Sequence, residues 1–140
     1  MVRLCDSAGR RWKMETMKVL LIEPMEQPRI TEIPHTLEAM QEAVGGTIQA
    51  TYPWEDPVAI VCADEGKILG FPPNRMLEDY DVLVGTFFIC GLSTDSFASI
   101  PDDLIGKYTE KFLWPEAFMR DDDGIFCLRL TDGGIEVHPL

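Results

Sequence analysis

Residues 81–91 read DVLVGTFFICG, and how this stretch folds decides the architecture of the chain. Between Val82 and Cys90 only Gly85 and Thr86 interrupt an apolar run rich in β-branched and aromatic side chains. A run of this kind, without polar alternation, fits a strand covered on both faces at the middle of a sheet. A buried helical segment is the competitor, and Gly85 with the Val, Thr, Phe and Ile content weighs against it. The expectation is one central strand over residues 82–90.

Upstream of this run, GFPPNR (residues 70–75) excludes helix and central strand, because neither proline supplies a backbone donor, and a short helical turn is expected over 76–79. VAIVC (58–62) reads as a buried strand, and ADEG (63–66) has hairpin-turn chemistry leading into 67–69. TIQATY (47–52) is a further strand, ended by Pro53. The clearest helix precedes it: Thr36 can cap it, Leu37, Met40 and Val44 recur at helical spacing, and Gly45-Gly46 stops it. KVLLIE (18–23) and RITEI (29–33) form an expected hairpin. Downstream, Ser99 with Asp102 resembles a capping box that opens a second helix, with Leu104, Tyr108 and Phe112 on one face and Trp114-Pro115 as its stop. DDDG (121–124) is an acidic turn, and residues 125–137 read as a terminal hairpin. Strands and helices do not alternate regularly. The fold class expected is therefore α+β, a largely antiparallel or mixed sheet with two main helices packed on it.

At 140 residues and 46% apolar composition the chain suits one domain with one main core. Residues 1–16 lack apolar periodicity and read as a flexible N-terminal extension, with Met17 as an alternative translation start. Residues 17–140 are the expected domain, of which 113–140 form a C-terminal hairpin extension. No apolar run approaches the ~18 residues of a membrane helix, and no secretion signal is recognisable, so the expected address is cytoplasmic. Cys62, Cys90 and Cys127 fall in apolar, strand-like surroundings and read as small buried hydrophobes, and no cysteine or histidine spacing matches a metal hook.

Charge is unevenly spread. Residues 1–18 carry five Lys/Arg and two Asp/Glu, whereas residues 19–140 carry seven Lys/Arg against twenty-two Asp/Glu. Such a body repels phosphates and lacks the basic footprint of a nucleic-acid binder, a basic arm over residues 1–16 being the functional alternative, and it leaves two readings: a solvated acidic surface, or one that attracts a basic partner. No nucleophile elbow, phosphate loop or dinucleotide fingerprint occurs, so no catalytic residue, cofactor or metal is assigned. The most suggestive segment is EGKILGFPPNR (65–75), where Lys67, Asn74 and Arg75 fall on irregular backbone. Together they suit an anion or nucleotide-like ligand, since Arg forks onto phosphate or carboxylate. Structurally, Asn74 capping a turn and Arg75 pairing with Glu78 or Asp79 explains the same residues. Tyr52, Trp54 and Phe71, in or beside turns, are the candidate partner contacts, with folding back over the core as the alternative.

Read in order, MKVLLIEP, the helix IP-x-TLEAMQE-x-VGG, the stretch TIQATYPWEDPVAIVCADEGKILGFPPNR and GTFFICG resemble the family grouped as domain of unknown function 3846. The resemblance covers about residues 17–112, and it implies a setting in bacterial genomes, phages and conjugative elements. Ala63-Asp64-Glu65-Gly66-Lys67 stands where the family pattern reads N-E-E-G-K, so the side-chain amide that the resemblance offers a ligand is replaced by a methyl group. The function expected is a non-enzymatic cytoplasmic accessory protein of mobile-element type that binds a host protein through its acidic surface. The alternative is a small-ligand binder using residues 65–75.

Overall fold

A computed structural model describes residues 15–139. The expected extension over 1–16 lies outside these except for Glu15 and Thr16, and Thr16 already opens the first strand. The main sheet runs β2 (Arg29–Pro34), β1 (Thr16–Ile22), β7 (Phe87–Leu92), β4 (Val58–Ala63), β3 (Ile48–Thr51), and a short β8 (Phe97–Ala98) pairs with the end of β7. Every ladder among the described residues is antiparallel.

β7 lies at the centre because both of its faces are covered. Phe87 and Ile89 point into one core with Leu20, Ile22, Val58 and Ile60. Phe88 and Cys90 point into a second core with Val19, Leu21, Ala59 and Val61. Burial on both sides explains the missing polar alternation, and each fully buried large side chain contributes ~1.5–3 kcal/mol. Helix α1 (Leu37–Val44) closes the second core with Met40 and Val44. Its ends are as expected: Thr36 Oγ1 accepts from the Ala39 amide at 3.1 Å, and Gly45 stops it in the left-handed conformation. Helix α3 (Asp102–Lys111) closes the first core with Tyr108, and Phe112 follows at its end.

Four local expectations are corrected. Residues 82–90 form two strands, β6 (Asp81–Val84) and β7, because Gly85 takes φ 71° and breaks the run. β6 leaves the main sheet and pairs with β5 (Pro73–Leu77) in a separate ribbon. Consequently residues 76–79 are not a helical turn: Met76 and Leu77 pair with Val82 and Asp81. Residues 63–69 are not a hairpin, since β4 already has β3 on one edge and β7 on the other, and Gly66–Leu69 instead forms a one-turn helix, α2. Ser99 does not cap α3. Its Oγ accepts from the Lys18 amide at 2.9 Å, Asp102 pairs with Lys18 Nζ, and Pro101 stands at the cap position.

Beyond α3, the expected hairpin gains a third strand. β9 (Glu116–Asp121), β10 (Gly124–Thr131) and β11 (Gly134–Pro139) form their own sheet, in the order β11-β10-β9. No helix among the described residues is long and apolar enough to cross a membrane.

Candidate functional site

The ribbon β5–β6 carries most of the polar residues singled out in the sequence. A bulge between Pro73 and Arg75 turns the consecutive Asn74 and Arg75 both inward, and both are fully buried. Asn74 Nδ2 donates to the carbonyls of Ile22 (2.9 Å) and Gly85 (2.8 Å), which ties the end of β1 to the break between β6 and β7. Arg75 donates to the carbonyls of Phe112 (3.1 Å) and Glu26 (2.5 Å) and to Asn74 Oδ1 (2.8 Å). Burial lowers its pKa to about 10, an effect that nearby Glu116 opposes, so it remains charged at neutral pH. Neither the expected pairing with Glu78 or Asp79 nor an open face for a ligand is what Arg75 adopts. Its donors already satisfy the interior, and it is a brace among the ribbon, α3 and the β1–β2 turn.

Glu116 stands beside this brace. Its Oε1 accepts from the Met76 amide at 3.2 Å and its Oε2 from the Cys127 thiol at 2.7 Å, with Arg129 at 3.7 Å. Burial, with Glu116 adding to it, pushes Cys127 up to about 12, and burial alone pushes Cys90 to about 12. Both remain protonated thiols, consistent with the reading of cysteine as a buried hydrophobe. A cleft of about 430 Å³ opens here between α3 and β10, yet both its cations are engaged, Lys111 by Glu78 at 2.7 Å and Arg129 by Glu116.

Lys67 is separated from Asn74 and Arg75 by its exposure. It lies on α2, where its ammonium pairs with Asp81. Around it the surface is continuous. Lys67 and Val82 line a hollow with Cys62 and Ile68 (about 310 Å³), and also an apolar groove with Pro73, Val84, Phe118 and Ile125 (about 330 Å³). Next to Lys67, Ile68 is 85% exposed and Leu69 59%, and Tyr80 on the adjoining β5–β6 turn is 66% exposed. Asp64, Glu65 and Asp79 are exposed in the same neighbourhood, with no cationic partner among the described residues. The start of the helix is seated closely on its neighbours, since Gly66 packs its backbone against Val84 and Phe71, where a Cβ would come within 2.9 Å of Val84 Cγ2. Ile68 and Leu69, adjacent in sequence and neither core nor lid, were not singled out from sequence; an apolar pair between Gly66 and Gly70 was the available signal.

The three expected partner aromatics separate. Phe71 packs over Gly45, Gly66 and Gly85. Trp54 lies 4.7 Å from the Tyr108 ring and donates to Glu78 Oε1 at 2.8 Å, so it serves as a lid on the first core. Tyr52 alone is exposed, at the rim of a shallow trough with His35, Met40, Leu92 and Phe97. His35 there has its Nδ1 3.3 Å from Glu15 Oε1. Near the Trp54 lid, Asp56 accepts from Lys107 Nζ and Tyr108 Oη, both at 2.6 Å, and these bonds hold its pKa below the ordinary carboxylate range.

Residues 17–113 match the family described as domain of unknown function (DUF3846). The chain belongs to that family. Neither a curated protein nor a solved structure matches the chain. The family region takes in the main sheet, both longer helices, α2 and the ribbon, while β9, β10 and β11 fall beyond it.

Proposed function

We propose that this protein is a non-enzymatic accessory protein of mobile-element type that binds a host protein, with the contact centred on α2. The observation that carries the reading is the exposure of Ile68 and Leu69 amid Asp64, Glu65 and Asp79. An apolar knob inside an acidic rim suits a partner surface that offers an apolar socket edged by Lys or Arg. Charge acts in the same direction. Lys18, Arg29, Lys67, Lys107, Lys111 and Arg129 each sit in an ion pair, so the unpaired charge left on the surface is mainly negative. That excess speeds encounter with a basic partner and weakens in salt. A low-salt pull-down from host lysate tests the proposal, and recovery of no partner contradicts it.

The small-anion alternative has less support, because Asn74 and Arg75 donate inward and Lys67 alone faces outward. Thermal-shift measurement against nucleotides separates the two readings, since a ligand bound only to the folded state raises Tm.

A further inference from the structure

The C-terminal sheet has its polarity reversed. Residues paired across β9, β10 and β11 share a face, so Glu116, Arg129 and Glu136 lie together with Cys127, Phe118 and His138. That charged face is turned towards the body, where Glu116 and Cys127 are buried. The opposite face carries Met119, Phe126, Leu128, Leu130, Ile135 and Val137. None of these six belongs to either core, and Ile135 and Val137 are 64% and 61% exposed. A sheet with one solvated face ordinarily points its polar side out.

We propose that this outward face is an interface between two copies of the chain, packed sheet against sheet. A two-fold contact requires a patch complementary to itself, and a face that is apolar and uncharged across its middle meets that requirement. Residues 19–140 carry twenty-two Asp/Glu against seven Lys/Arg, so a contact through the charged surfaces of two copies is repelled. The nearest carboxylate, Asp121, ends β9 on this face opposite Gly124, and Asp122, Asp123 and Asp132 sit in the turns, so all four lie at the two ends of the sheet, clear of its middle. Strands of six, eight and six residues present roughly 300 Å² in projection at ordinary strand spacing and rise. Counted on both copies this is roughly 600 Å² before side-chain relief, about half of the ~1,200 Å² at which specific interfaces begin. The dimer is accordingly weak, with Leu128 of the central strand near the two-fold axis and the sheets about 10 Å apart. Salt strengthens it by screening the carboxylates at the ends, whereas salt weakens the partner contact proposed for α2.

Sedimentation velocity of the full chain in reducing buffer, over a concentration series at low and high salt, tests this. The expected result is a rise from 15.8 kDa towards twice that mass, at lower concentration in high salt. Ile135→Asp and Val137→Asp hold the chain at the monomer mass with an unchanged circular-dichroism spectrum. If either aspartate variant unfolds, Val137→Ser serves as the milder variant, with at least a tenfold weaker dimer expected. A wild type that stays monomeric throughout overturns the proposal. So does a dimer that survives Val137→Asp or Val137→Ser unchanged, since it must then use another surface or the backbone edge of β11.

Discussion

Arg75 Nε donates to the carbonyl oxygen of Phe112 at 3.1 Å, joining two residues 37 positions apart inside the protein. The same guanidinium reaches the Glu26 carbonyl and Asn74 Oδ1, so one side chain holds the ribbon, the end of α3 and the β1–β2 turn together. Arg75→Ala leaves these buried acceptors without a donor and Glu116 with Arg129 as its remaining cation. A loss of ~3–5 kcal/mol is expected, the range for breaking buried charged contacts. Urea denaturation measures it, and Arg75→Lys is expected to recover only part, because an ammonium does not reproduce the fork.

Gly91 sits where β7 meets the chain entering α3. A Cβ there would overlap the Ser99 carbonyl oxygen, which is backbone and has little freedom to move. Gly91→Ala is expected to cost at least the ~1–3 kcal/mol of an overpacked core, read as a fall in Tm. By contrast, Thr36→Ala removes one cap bond from α1 and is expected to cost ~1 kcal/mol.

Asp56 gives the fold a defined acid dependence. Its bonds from Lys107 and Tyr108 place its folded pKa below the ordinary 3.8. The stabilisation is therefore fully present above 3.8 and is lost as the pH falls through the lower, folded value. Asp56→Asn is expected to melt lower than wild type at neutral pH, with the gap narrowing as the pH falls below 3.8. Thermal unfolding followed over the acid range checks both the sign and the window.

Cys90 and Cys127 are expected to resist alkylation in the native protein at mildly basic pH, since burial holds both thiols near 12. Peptide mass spectrometry after labelling, with and without denaturant, reads this directly. Rapid native labelling of Cys127 would contradict the close seat of the C-terminal sheet on the ribbon.

The sequence was most legible where a local rule and the tertiary context agree. Thr36, Met40, Val44 and Gly45 state the start, face and stop of α1, and the structure has all four in those roles. The apolar run after Asp81 identified the sheet centre, but the positive φ at Gly85 divides it, and a glycine in an apolar run reads equally as strand or break. Asn74 and Arg75 were noticed for the right reason, polar groups on irregular backbone. Their direction depended on a bulge that pairs β5 with β6, a non-local fact no local pattern carries. Ser99 and Asp102 have capping-box spacing, yet Lys18 at the start of β1, 81 positions from Ser99, takes both groups. Ile68 and Leu69 look like core residues until the sheet shows that both edges of β4, the strand before them, are taken by β3 and β7.

The central claim is that α2 is a partner contact, and one comparison tests it most directly. Tagged wild type and Ile68→Asp are used in parallel pull-downs from host lysate at low and high salt, with the Tm of each measured alongside. The account predicts a protein recovered by wild type at low salt, released at high salt and absent with Ile68→Asp, while Tm shifts by no more than an exposed substitution implies, about 0.5 kcal/mol in stability. Equal recovery by Ile68→Asp, or recovery indifferent to salt, would contradict it.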